Sequence, residues 1–307
     1  MTAELLIEQF LNGLQFGFML FLMSAGLTLI FGVMGLINLA HGSFYMIGAF
    51  SAATVFAIFN SFWLGLIASF FFTAAIGVVV EKLIISKLYN RDHLDQVLAT
   101  FALILVFSES IRWIFGAFPL YLDVPDFLNG SVEIFWGVYY SKYRLFIIFL
   151  GLIIAAFLFL LIGKTNLGIK IRAGQYDREM ISVLGVDISK LYTFLFGVGA
   201  ALAGLAGALI GTIQSVEVGM GEPILILAFV VIVIGGIGSI KGALIASLLV
   251  GLVDTLGRFF IPWILQSITN PSDAMSIGSA IGSMLIYILM AIVLILKPTG
   301  LYGKQLS

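Results

Sequence analysis

A charge-free stretch near the start of the chain constrains the fold more than any other feature. Residues 9–80 contain no Asp, Glu, Lys or Arg. As one continuous helix this stretch would be about 108 Å long, whereas the hydrocarbon core of a bilayer is about 30 Å thick. The stretch therefore predicts about three membrane crossings in succession.

The composition of the whole chain extends this prediction. Of its 307 residues, 61% are hydrophobic and 10% are charged, and the mean hydropathy is +1.17. These values exclude a soluble fold. The chain has no cysteine for disulfides or thiolate metal sites, and its net charge of -1 offers no basic surface to nucleic acid.

Nine apolar segments are predicted to cross the membrane as helices. Runs of this length without alternating polarity favour helices over the shorter strands of a barrel. The predicted fold class is all-α, a polytopic transmembrane helical bundle of about nine crossings that forms a single domain over residues 1–307. The predicted crossings are residues 10–34, 43–60, 62–85, 96–115, 144–162, 191–215, 223–238, 243–261 and 277–296.

The basic residues predict the orientation of the bundle. Eleven of the fifteen fall on one side: Lys82, Lys87, Arg91, Lys164, Lys170, Arg172, Arg178, Lys190, Lys241, Lys297 and Lys304. Because basic loops face the cytoplasm, we expect the N-terminus outside and the C-terminus inside a bacterial cytoplasmic (inner) membrane. The long cytoplasmic loop is residues 163–190, with a short helix expected over Gln175–Leu184. The long extracytoplasmic loop, residues 116–143, is expected to include a partly amphipathic segment at the membrane interface.

A polar interruption, Asn38–Ser43, lies between the first two predicted crossings. Backbone that leaves the helix at membrane depth is tolerated where it faces protein or a water-lined path. We therefore expect Asn38, His41, Gly42 and Ser43 to line a translocation pathway. The alternative is an ordinary tight turn at the inner end of the first crossing.

Small residues recur at every fourth position along the sixth predicted crossing, with Gly204 and Gly207 among them. Such rows allow two helices to approach closely in a membrane. We expect Gly207→Leu to disrupt the packing of this helix and Gly207→Ala to be much milder.

Enzyme chemistry has few residues to be built from. The two histidines, His41 and His93, have no metal-binding spacing, which disfavours a catalytic zinc site. The GKT sequence at residues 163–165 looks like the end of a phosphate-binding loop, but Leu158 stands where that loop requires its first glycine. We therefore expect a chain that is not an enzyme and has no cofactor of its own.

Four sequence blocks are informative about the family. They are SAGLTLIFGVMGLINLAHGSFYMIGAF from Ser24 to Phe50, RAGQYDREMISVLGVDISK from Arg172 to Lys190, GGIGSIKGA from Gly235 to Ala243 and KPTGLYG from Lys297 to Gly303. In these blocks and in their order, the chain resembles the LivH-type permeases of branched-chain amino acid ABC importers. The second block resembles the cytoplasmic coupling loop of that family.

The resemblance implies partners. These are a second, LivM-like permease, two cytoplasmic ABC ATPase subunits that bind ATP and Mg, and an extracytoplasmic solute-binding protein, all assembled in the lipid bilayer. Coupling loops of ABC importers carry a glutamate and a glycine at the spacing of Glu179 and Gly185. The resemblance assigns ATPase coupling to Arg172, Asp177, Glu179, Leu184 and Gly185.

Two acidic residues, Glu217 and Glu222, lie in the short outer loop before the seventh predicted crossing. We expect them to orient the binding protein, because charges at the rim of an interface act mainly on association. The alternative is a solvated loop with no partner.

The expected function is that of a permease subunit in an ATP-driven importer for branched-chain or other apolar amino acids. Urea, short amides or aromatic acids are alternative substrates. A membrane-anchor subunit of an enzyme complex is an alternative of a different class, which the long cytoplasmic loop disfavours. An autonomous secondary transporter would need ion-coupling carboxylates at mid-membrane, and the sequence places none away from the predicted helix ends.

Overall fold

The computed structural model describes residues 3–135 and 137–303. The fold consists of helices and one small hairpin. The helices are α1 (Ala3–Met34), α2 (His41–Phe59), α3 (Phe62–Leu83), α4 (His93–Phe115), α5 (Lys142–Lys164), α6 (Asn166–Tyr176), α7 (Arg178–Val183), α8 (Ile188–Ile210), α9 (Gly221–Gly235), α10 (Ile240–Leu265) and α11 (Pro271–Leu296). The strands are β1 (Ser131–Phe135) and β2 (Val138–Ser141).

Eight of the helices in the described residues are long and apolar enough to cross a membrane. The ninth apolar helix, α9, has 15 residues and is about 22 Å long, which is less than the hydrocarbon thickness of about 30 Å. The prediction of an all-α polytopic bundle is confirmed. Of the nine predicted crossings, eight correspond to long helices, and the seventh, residues 223–238, corresponds to the shorter helix α9.

The centre of the bundle is α1, which packs against α8 and α10 through glycines. Gly13 and Gly17 face the backbone of α10, and Gly26 faces Gly199 of α8. A Cβ atom on Gly26 would lie 2.6 Å from the carbonyl oxygen of Gly199. These contacts need glycine because they bring two helix backbones together, which is a common means of helix association in lipid.

Polar residues mark where several helices begin. Ser61, Asp187 and Ser239 are the N-caps of α3, α8 and α10, and their side chains accept hydrogen bonds from N–H groups of the first turn. This satisfies donors that a helix start otherwise leaves free. At Asp187 the hydrogen bonds from Lys190 also lower the pKa of the carboxyl group.

The hairpin β1–β2 lies in the long loop between α4 and α5, where sequence analysis predicts no strand. Leu120 in this loop exchanges backbone hydrogen bonds of 2.9 and 2.8 Å with Val216, which follows α8. Tyr140 and Arg144 both donate to the side chain of Asn12 in α1. The hairpin therefore belongs to the end of the bundle at which α1 starts. Its strands are too short to predict, because four or five residues carry little periodicity.

Two helices, α6 and α7, occupy the loop between α5 and α8. The predicted short helix over Gln175–Leu184 is present as α7, but its bounds are narrower, because α6 ends at Tyr176 and α7 starts at Arg178. Asp177 separates them. Its carboxylate accepts a hydrogen bond of 2.9 Å from the Met180 N–H, which caps α7.

Candidate translocation pathway and coupling segment

The connection between α1 and α2 turns back into the bundle. Gly35 follows the last residue of α1 and has a φ of 65°, which reverses the chain. His41, the first residue of α2, then lies with Nε2 3.3 Å from the carbonyl oxygen of Met23. Met23 is about 16 Å from the end of α1. The start of α2 is therefore deep in the bundle, and the alternative of a tight turn at the inner end is wrong.

The start of α9 lies against the start of α2. A Cβ atom on Gly42 would lie 2.7 Å from the carbonyl oxygen of Gly221. The loop that follows α9 reaches the end of α1, where Gly238 packs against Gly32. The helix α9 therefore extends only from the level of Met23 to the end of α1. This distance is shorter than the full membrane thickness, which explains why α9 is a short helix.

Three buried side chains at or just before the start of α2 have polar atoms without a hydrogen-bond partner among the described residues. Asn38 and His41 are 0% exposed and Ser43 is 4% exposed. The unpaired groups are both amide atoms of Asn38, Nδ1 of His41 and the hydroxyl of Ser43. An unpaired buried polar group costs about 1–3 kcal/mol, so such groups call for an explanation. Together they can donate hydrogen bonds to a polar solute and accept hydrogen bonds from it.

The two acidic residues of the predicted outer loop lie at different depths. Glu217 is exposed and directly follows Val216, which pairs with the loop that contains the hairpin. Glu222 is half-buried in the first turn of α9. Its carboxylate lies beside Gly219, and the Gly219 N–H donates to the Met46 sulfur at 3.4 Å. Glu222 is therefore close to the start of α2.

Three of the predicted coupling residues shape the segment that carries them. Arg172 donates to the carbonyl oxygen of Ile162 and so fastens α6 to the end of α5. Asp177 caps the start of α7, as described above. Gly185 follows the end of α7 with a φ of 83°, a conformation that glycine adopts readily.

An apolar surface remains exposed at the end of α7. Val183 is 84% exposed and Leu184 is 75% exposed, whereas Ile181 is buried and faces Gly174 of α6. Glu179 lies on the same helix, but its side chain is outside the part of the chain that the structure describes. The segment thus has one buried anchor and two exposed apolar side chains.

A buried carboxylate that the sequence analysis missed connects α3 to α8. Glu81 is 1% exposed and accepts hydrogen bonds from the Tyr89 hydroxyl at 2.5 Å and the Thr193 hydroxyl at 2.6 Å. Burial, and then the hydrogen bond to Glu81, raise the pKa of Tyr89, so its phenol remains a donor. The available signal was an acidic residue within a predicted crossing.

Comparison with known families decides what kind of protein carries these features. A family profile described as branched-chain amino acid transport system / permease component matches residues 9–294. The chain belongs to this family. It is therefore a multi-pass membrane permease and not itself an enzyme.

Individual relatives match the permease over nearly its whole length. It is 29% identical to the high-affinity branched-chain amino acid transport system permease protein BraD of Pseudomonas aeruginosa, over 97% of the permease and 96% of the relative. It is 27% identical to the corresponding protein LivH of Escherichia coli, with the same coverage. A probable LivH of Methanocaldococcus jannaschii is 27% identical over 93% of the permease and 89% of the relative. No solved structure matches the permease.

The sequence blocks that carry the resemblance meet in the permease at the end of α1. Gln175 donates through Nε2 to the Gly238 carbonyl oxygen at 3.2 Å, and Gly238 packs against Gly32. The Leu301 N–H donates to the Ile234 carbonyl oxygen at 2.8 Å. These contacts hold α1, α6, α9 and the C-terminal segment together.

Proposed function

We propose that the permease imports a branched-chain or other apolar amino acid across the bacterial cytoplasmic membrane. A second, LivM-like permease completes the membrane part, and two ABC ATPase subunits hydrolyse ATP with Mg on the cytoplasmic side. An extracytoplasmic solute-binding protein delivers the amino acid. The observation that carries the proposal is the match to branched-chain amino acid permeases over 97% of the chain.

The pathway in this proposal passes the meeting point of α2 and α9. Asn38, His41 and Ser43 offer hydrogen bonds to the solute there, and the unpaired state of these buried groups supports the assignment. Gly42 lies where the two helices touch. A movement that separates two glycine backbones opens a passage without rearranging any side chain.

The coupling segment in this proposal is α7 with its flanking residues. Val183 and Leu184 enter a cleft on an ATPase subunit, and Glu179 lies on the same helix. Arg172, Asp177 and Gly185 give the segment its shape, so that it transmits closure of the ATPases as a rigid body. The basic residues of this end support a cytoplasmic position.

The docking surface for the binding protein in this proposal includes Glu217. Its exposure near the hairpin end supports a contact with an extracytoplasmic partner. Glu222 lies near the start of α2, and we assign it to the pathway instead.

The test is transport by the importer, purified with the subunits that associate with the permease and reconstituted in lipid vesicles. We expect uptake of labelled leucine that requires ATP, Mg and the binding protein. Vesicles with a non-hydrolysable ATP analogue serve as the control. Uptake of urea or an aromatic acid in place of leucine would favour the alternative substrates, and copurification with enzyme subunits but no ATPase would favour a membrane anchor.

A further inference from the structure

We propose that the starts of α2 and α9 form a slot for the zwitterionic backbone of an α-amino acid, with the carboxylate at α2 and the ammonium group at Glu222. This inference rests on the proposed import function and specifies how its substrate is recognised. The slot is closed in this structure, where Gly42 and Gly221 touch.

The start of α2 is suited to a carboxylate. The N-terminus of a helix carries a partial positive charge and N–H groups that bind anions. The His41 and Ser43 N–H groups donate to the backbone carbonyl oxygens of Asn38 and Ala40. The first turn of α2 contains no acidic residue, and its N-cap, Ala40, has no side chain that caps the helix, so the partial positive charge of this end is not neutralised locally. Broken membrane helices offer their N-termini to anionic substrate groups in this way.

A second observation at the same place indicates a ligand. The hydroxyl of Ser43 and Nδ1 of His41 belong to the first turn of α2, and the Asn38 amide precedes it closely. All three groups are buried and lack partners within the described residues. A solute with several hydrogen-bonding atoms would satisfy them, and this removes the cost of leaving them unpaired.

The start of α9 carries the opposite charge. Glu222 lies in its first turn, where a carboxylate is stabilised by the helix dipole. The neighbouring Gly219 contacts Met46, which is one turn beyond Gly42 in α2. The partial positive charge at the start of α2 and the Glu222 carboxylate at the start of α9 therefore lie close to each other.

This arrangement predicts which solutes are accepted. An α-amino acid carries an anion and a cation on adjacent atoms and satisfies both helix starts. A carboxylic acid without an amino group is repelled by Glu222, an amine lacks the anion for α2, and urea has neither charge. The slot thus favours amino acids over the alternative substrate classes.

The experiment measures ligand binding to the purified membrane subunits in nanodiscs without nucleotide and without the binding protein, so that selection by the binding protein does not contribute. Saturation-transfer NMR is suitable because it detects weak binding. We expect leucine to bind, and 4-methylpentanoate, isoamylamine and urea to bind at least about tenfold more weakly, because each loses a charged contact.

Two variants separate the slot from a structural role. We expect Glu222→Gln to weaken leucine binding about tenfold and to abolish the preference for leucine over 4-methylpentanoate. The matched control is Asp273→Asn, which changes an exposed acid in the first turn of α11. Ser43→Ala should weaken binding without lowering the thermal midpoint, since it removes an unpaired hydroxyl. Its control is Ser51→Ala, whose hydroxyl already donates to Gly48.

Each outcome is decisive for one proposal. Equal binding of leucine and 4-methylpentanoate, or unchanged leucine binding in Glu222→Gln, would overturn the slot even if the importer transports leucine. Selective leucine binding without ATP-driven uptake in vesicles would support the slot and overturn the proposed import function.

Discussion

At the scale of single residues, the permease places glycine where helix backbones touch. Gly207 of α8 faces the Tyr45 carbonyl oxygen of α2, and an added Cβ atom would overlap that oxygen. The row of small residues therefore packs within this chain. Even the single methyl group of Gly207→Ala requires a backbone to move, so this variant also carries a cost, although a smaller one than Gly207→Leu.

We now expect Gly207→Ala to destabilise the permease by about 1–3 kcal/mol, the usual cost of overpacking. The measurement is the thermal midpoint and yield of the purified importer. Gly163→Ala is the matched control, since Gly163 is also helical but has open space around its Cβ position. Equal midpoints for both variants and the wild type would contradict the close contact.

At the scale of elements, two short helices, α7 and α9, belong to the proposed coupling segment and the proposed pathway. The capped start and glycine end of α7 leave it six residues long. Within it Ile181 faces inward, and the apolar side chains of Val183 and Leu184 face outward. Directly after this segment, α8 connects through Thr193 to the buried Glu81 of α3. The helix that follows α7 is therefore joined to α3 by a hydrogen bond to a buried carboxylate.

We expect Val183→Asp to weaken association of the ATPase subunits at least about tenfold, because it brings a charge into an apolar contact. Copurification and the ATPase activity of the importer measure this effect. Val183→Leu keeps the apolar surface and should retain both. If Val183→Asp assembles normally and couples ATP hydrolysis to uptake, α7 is not the docking helix.

At the scale of the whole molecule, the starts of α2 and α9 meet deep in the bundle, and His41 at this point contacts α1. In the proposed pathway, alternating access opens this point to the cytoplasm in one state and closes it in another. The permease has no cysteine, so single cysteines report exposure without further changes.

We expect Asn38→Cys and Ser43→Cys to react with a membrane-impermeant thiol reagent from the cytoplasmic side in one nucleotide state and to be protected in another. Val183→Cys should react in every state in which the ATPase subunits are absent. Protection of Asn38→Cys and Ser43→Cys in all states, together with normal uptake, would mean that the break between α1 and α2 is purely structural.

The sequence by itself determined the membrane class, the helical bundle and most helix positions. Charge-free runs and capping residues determine structure through neighbouring residues in the sequence. Ser61 and Asp187, for example, cap helix starts through contacts with the next few residues only. The resemblance in four blocks also identified the family. The division of the cytoplasmic loop at Asp177 was readable in principle, since aspartate is a strong N-cap.

Only the tertiary structure decided the depth at which helices begin. Gly42 and Gly221 are in contact although they are far apart in the sequence. The residues around either glycine do not indicate that the other one is its neighbour. The position of Glu222 was also decided by packing. Its place in the sequence predicts an outer loop, but the packed bundle places it close to α2. Glu81 is buried because Tyr89 and Thr193 supply its hydrogen bonds, and only the packed bundle brings Thr193 to it. Depth and pairing depend on contacts between helices, which local sequence does not encode.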